Sequence, residues 1–200
     1  PQIEYMEIIP SIISTSYQGK GPEVSSGTEK KLLDKIKRLP QQGLPLENTS
    51  FDWLLQPSRS KAGIYATPDG KSILLSNGMV ARMFRVLPNL STLDIFNRMT
   101  GESMLRAVSS EGSLTIDGKR WELGGLAGQP ERGYFQMEWV EQMTTRSGSF
   151  LIEDFRIEEL QEDIKWARSR WALNKNVPTG KRLTFVLKGE KETEGVTVEL

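Results

Sequence analysis

Apolar positions change their period along the 200-residue chain, and each change predicts an element. Leu32, Leu33, Ile36 and Leu39 recur at three- and four-residue spacing, the repeat of one helix face. Thr28 stands where an N-cap belongs and Pro40 closes the pattern, so a short amphipathic helix is expected between them. From Gly63 the pattern becomes short apolar runs separated by two-residue turns, which predicts strands. Asn77-Gly78 lies between apolar residues 73–75 and 79–84. A type I′ turn there, with positive φ at both central residues, sets Leu75 opposite Val80. Both faces of these strands carry apolar side chains, which suits a central strand covered on two sides.

A second hairpin is expected around Asp117-Gly118, with Leu114 opposite Trp121 and Thr115 opposite Arg120. Between the two, Leu93, Ile95 and Phe96, a turn at 99–102 and the run 104–108 predict further short strands. The glycine-rich stretch 124–130 reads as a loop with a close backbone approach, and 183–188 and 196–200 are strand-like. Residues 151–173 are ambiguous: Ile157, Leu160 and Ile164 suit a charged helix, whereas Phe155 and Ile157 alternate with Asp154 and Arg156 as in a strand. The expectation is strand first, then irregular loop.

The fold class expected is mainly β, a β-sandwich or supersandwich with a short N-terminal helical appendage. Residues 1–27, with Ile8, Ile9, Ile12 and Ile13 before a Gly/Ser/Pro tract, are expected to be a flexible segment. Residues 28–62 hold the helix and a turn-rich lead-in around Phe51-Asp52-Trp53-Leu54-Leu55, and 63–200 form the sandwich. The final apolar alternation runs up to Leu200, so the fold is expected to continue beyond it.

Composition narrows the chemistry. The 26 basic residues are matched by 26 acidic ones and interspersed with them, which gives no basic footprint for nucleic acid. No run is apolar enough to span a membrane. The chain has no cysteine and no histidine. That removes disulfides, thiolate chemistry, the usual transition-metal ligands and the commonest general base. Neither a metal site nor a cofactor is expected.

Acidic pairs at Glu153-Asp154, Glu158-Glu159 and Glu162-Asp163 are read as solvated charge, since adjacent strand residues point to opposite faces and cannot share one sugar. Serines 109, 147 and 149 have no histidine partner, and no G-x-S-x-G elbow is present. No catalytic residue is therefore assigned. Tryptophan is the better binding candidate, because an indole face stacks on a sugar. Trp121 and Trp53 read as packing residues. Trp166, Arg168, Arg170 and Trp171, where indoles interleave with bases, are the candidate surface for carbohydrate or a protein partner. Cation–π packing of that loop on the sandwich is the structural alternative.

The run from Leu74 to Arg85, the Pro88-Asn89-Leu90-Ser91-Thr92 after it, Leu105-Arg106-Ala107 and 114–119 resemble the N-terminal β-supersandwich region of bacterial family 36 glycoside hydrolases, which are α-galactosidase-like. Gly124-Gly125-Leu126 and Arg170-Trp171 extend the resemblance over roughly residues 65 to 200. In that family the catalytic carboxylates lie on a following (β/α)-barrel. The resemblance therefore implies a non-catalytic domain of a carbohydrate-processing protein that packs on a catalytic barrel. The absence of cysteine leaves the compartment open, with a periplasmic or extracellular location favoured. A free-standing carbohydrate-binding module and a structural interaction domain are the alternatives. Mutarotase-like proteins share supersandwich folds, but their sugar epimerisation relies on histidine.

Overall fold

The computed structural model describes residues 3–7, 21–44, 46, 55, 61–130, 133–161 and 180–200. In chain order these contain β1 (Ile3–Glu7), α1 (Ser26–Lys37), β2 (Gly63–Ala66), β3 (Ser72–Ser76), β4 (Val80–Arg85), β5 (Ser91–Asn97) and β6 (Glu102–Ser103). There follow β7 (Gly112–Ile116), β8 (Lys119–Leu123), β9 (Leu126–Ala127), a 3-10 turn (Met137–Gln142), β10 (Thr144–Thr145), β11 (Ser149–Glu159), β12 (Lys181–Lys188) and β13 (Thr197–Glu199). The protein is mainly β. One sheet runs β2-β3-β4-β5-β6, a second β1-β7-β8-β11-β12-β13, and β9 and β10 form a small pair.

Strand alternation explains how the sheets stack. Ile64, Ala66, Ile73 and Phe84 of the five-stranded sheet share one core with Leu114, Leu123, Ile152, Phe155 and Leu187 of the six-stranded sheet. The Phe84 and Phe185 rings meet across that interface, their centroids 5.0 Å apart. Leu74, Ala81, Met83 and Leu93 point the other way and pack with Val108, Leu126, Val140 and Met143. The five-stranded sheet is thus covered on both faces, as its two-sided apolar pattern predicts.

Asn89 ties the sandwich together at a corner. It is fully buried. Its Oδ1 accepts from the Ile152 and Leu90 amides, each at 2.9 Å, while Nδ2 donates to the Phe150 carbonyl at 3.1 Å. The side chain therefore replaces a ladder partner for buried backbone groups of β11. Gly124, with φ +66°, lies so close to Leu90 that an added Cβ would collide with its carbonyl oxygen, the close approach expected of the glycine-rich stretch. That stretch also contributes β9, which its composition did not predict.

The two hairpins differ. Around Asp117-Gly118 the register is as predicted, Leu114 opposite Trp121 and Thr115 opposite Arg120, with φ of 49° and 74° at the turn. Around Asn77-Gly78 it is not: Leu75 faces Arg82, not Val80. Val80 bonds Asn77 instead, and of the two central residues, Gly78 and Met79, only Gly78 has positive φ, at 87°. This is the type II′ pattern, which needs glycine only at the first central position. The Asn77 Oδ1 accepts from the Met79 and Val80 amides at 3.0 and 2.9 Å, which draws asparagine into the strand end.

Other expectations need correction. Ser25, not Thr28, caps α1, its hydroxyl accepting from the Thr28 amide at 3.3 Å. Ser26 and Gly27, which composition assigned to a linker, are the first helical turn. Gly21, from the same tract, packs so tightly on Thr145 that a Cβ would overlap its carbonyl. Ile3–Glu7, within the segment expected to be flexible, pairs with β7. Residues 104–108 form no strand. The ambiguous stretch resolves as predicted at its start, where β11 extends through Glu159. Residues 162–179 lie outside the described residues.

Candidate functional site

Direct cross-strand pairing places Leu74 beside Met83, Met83 beside Asp94, and Ala81 beside Phe96 on one face of the five-stranded sheet. Leu44 and Leu46 from the lead-in, and Met137 and Glu138 from the 3-10 turn, rise around this floor to enclose a cleft of about 490 Å³. That volume falls in the range of small-ligand and side-chain pockets. Among the described residues the lining is apolar apart from two carboxylates, Asp94 on the floor and Glu138 on the exposed wall.

Asp94 is half-buried, and its Oδ1 accepts a hydrogen bond from the Ser103 hydroxyl at 2.5 Å. Burial pushes its carboxyl above the ordinary value, against the lowering pull of the Ser103 hydroxyl and the Ile95 amide. Ser103 cannot act as a triad nucleophile, because the sequence contains no histidine to take its proton. The described titratable groups of the cleft are these two carboxylates, Asp94 and Glu138. Apolar side chains remain open in and beside it: Leu44 is 43% exposed, Met137 42%, and Met104 on the adjoining edge 66%. Met104 belongs to the same edge, its amide bonded to the Ile95 carbonyl at 2.9 Å.

A second charged cluster, between the β2–β3 turn and the 3-10 turn, is structural. Arg85 is 2% exposed, yet its Nη1 reaches Asp69 and its Nη2 reaches Glu141, both at 2.8 Å, and its Nε donates to the Leu87 carbonyl. Asp69 also accepts from the hydroxyls of Thr67 and Ser72 at 2.6 Å and from the amides of Lys71 and Ser72 at 2.9 and 3.1 Å. Burial raises the Asp69 carboxyl, but these donors and Arg85 together outweigh it, and the net direction is downward. Glu141 is also lowered, chiefly by Lys71 and Arg85.

Two polar grooves also open on the described surface. One, about 480 Å³, lies at the start of α1 between Thr28, Glu153, Lys188 and Lys191. The other, about 350 Å³, contains Trp121, Ser147, Glu190 and Glu192. Trp121 packs on the main core, as its hairpin position predicts. Lys119 sits over its ring at 4.3 Å and pairs with Glu192 at 2.7 Å, so a sugar would have to displace this lysine to stack on the indole. Trp53, Trp166, Arg168, Arg170 and Trp171 lie outside the described residues.

The cleft residues escaped the sequence reading, because Leu74, Met83 and Phe96 share a face only once the strand register is fixed. A legible signal was Asp94 itself, a carboxylate between Leu93 and Ile95 in an apolar strand. Among the described residues no cluster of three acidic side chains is arranged to hold a metal, and no helix is long and apolar enough to cross a membrane. No family model matches the chain, and neither a curated protein nor a solved structure matches it.

Proposed function

We propose that this chain is a non-catalytic β-sandwich domain of a carbohydrate-processing protein that packs against a catalytic domain. The observation that carries the reading is the apolar cleft walled by the exposed Leu44 and Met137, with exposed Met104 on the adjoining sheet edge. Contiguous open apolar surface rimmed by polar groups marks a place where another protein belongs. The absence of histidine, and with it of a Ser-His pair, supports a domain without chemistry of its own. The carbohydrate setting rests on the resemblance at 74–92 and 105–119. The binding-module alternative draws less support, since Lys119 occupies the open face of Trp121.

The test is to find whether the natural gene also encodes a (β/α)-barrel, and to co-express that barrel with this chain. A one-to-one complex whose glycosidase activity resides on the barrel, and in which amides around Met104 and Met137 gain protection from hydrogen exchange, is the expected result. A chain that stays separate from the barrel, or hydrolyses aryl glycosides by itself, overturns the reading.

A further inference from the structure

We infer that the cleft over β4 and β5 is a docking pocket for one basic side chain, Lys or Arg, carried on an apolar segment of the catalytic domain. The inference rests on the docking reading above and adds the chemistry of the contact. Among the described residues the lining holds two acids, Asp94 and Glu138, and no base. The floor of Leu74, Ala81, Met83 and Phe96 is apolar, so the half-buried carboxylate set into it loses part of its water with no counter-charge among the described lining residues. The bonds it does receive, from the Ser103 hydroxyl and the Ile95 amide, are to neutral donors and leave it above its ordinary value. A cation supplies what is missing. A Lys or Arg stem can lie along the methionine and phenylalanine floor while its head reaches Asp94, the way such side chains cover apolar surface elsewhere. An acidic partner group is rejected by the same pair of carboxylates, so the cleft selects by charge as well as by shape.

Asp69 shows what a satisfied carboxylate looks like in this protein. It has its arginine, two hydroxyls and two amides. Among the described residues Asp94 has no such arginine.

Three six-carbon ligand probes test the charge preference on the intact chain: hexylammonium, hexanol and hexanoate. Binding is followed by NMR of the Met83 and Met137 methyl groups. Hexylammonium is expected to bind about fivefold more tightly than hexanol, with hexanoate weakest, a difference of about 1 kcal/mol. Asp94→Asn should bring ammonium and alcohol to equal affinity while signals remote from the cleft stay in place. Equal binding by the wild type, no shift at either methionine, or a preference that survives Asp94→Asn overturns the inference. The barrel complex supplies the second arm. A complex that forms and is indifferent to Asp94→Asn overturns the inference and leaves the docking reading standing. An ammonium preference without any complex overturns the docking half and returns the cleft to small amines.

Discussion

Asp69 and Asp94 flank the same five-stranded sheet and stand in opposite electrostatic condition. Asp69 closes the β2–β3 turn, receives hydroxyls, amides and the buried guanidinium of Arg85, and is lowered overall. Asp94 lies on β5 in an apolar cleft, receives Ser103 and Ile95, and is raised. Burial acts on both; partners decide the sign. A carboxylate completed by its own fold is architecture. One that the fold exposes to apolar walls and leaves short of a cation is where an outside group can gain most.

Removing the centre of the first cluster should give the largest effect. Arg85→Ala deletes a buried side chain that holds Asp69, Glu141 and the Leu87 carbonyl at once. The two carboxylates reach solvent and can be rehydrated, with side chains 35% and 58% exposed, which keeps the loss below that of a fully buried pair. A destabilisation of about 3 kcal/mol is expected in urea unfolding. A change under about 1 kcal/mol would mean that the cluster is ornament on a turn that holds by itself. Asp69→Asn tests the same contact from the other side and should cost about 1 to 2 kcal/mol, since the amide keeps an acceptor oxygen but loses the charge facing Arg85.

Acid should reproduce part of this loss without mutation. Asp69 and Asp154 are lowered below 3.8; in both, burial is the largest influence and raises, but Asp69 is overtaken by Ser72, Thr67, Lys71 and Arg85, and Asp154 by Lys35, Lys31 and the Phe155 amide. A carboxyl lowered by folding contributes stability that is present above its unfolded value and disappears as pH falls through the folded one. The urea midpoint is therefore expected to hold from neutral pH to about pH 4 and to drop below it. Asp69→Asn should flatten that drop. An unchanged acid limb in the variant would remove Asp69 from the account.

Much of the fold was legible because its signals are local. The Asp117-Gly118 turn keeps the register its dipeptide predicts, with both residues at positive φ. Leu32 and Ile36, one helical turn apart, are fully buried as their spacing implies. The Asn77-Gly78 register failed because a side chain intervened: Asn77 bonds Met79 and Val80 and moves the turn on by one residue. The α1 cap failed for a similar reason, with two serines and a threonine competing for one position and Ser25 taking it. The cleft is a different case. Leu44, Met83, Asp94 and Met137 span almost half of the chain, and only the sheet register and the return of the 3-10 turn bring them together. Periodicity reports which face a residue shares with its neighbours in sequence, and the cleft is built from residues that are not neighbours.

The smallest expected effect carries the sharpest sign. If Asp94 is raised by burial, the folded protein holds its proton more tightly than the unfolded chain does. The resulting penalty is absent well below 3.8, grows as pH rises through the raised folded value, and stays constant above it. Asp94→Asn removes the charge while keeping an acceptor for Ser103. The variant is therefore expected to be slightly more stable than the wild type at pH 7, by less than about 1 kcal/mol, and equal to it near pH 3. Asp69→Asn should show the reverse order, destabilised at pH 7 and converging on the wild type in acid. Parallel urea titrations of the three proteins at both pH values decide the matter. If Asp94→Asn destabilises at pH 7, the carboxylate is already neutralised within the fold, and the cleft needs no cation from outside. If it stabilises, the protein keeps at Asp94 a charge that works against its own folding, and a binding role is the reason to retain it.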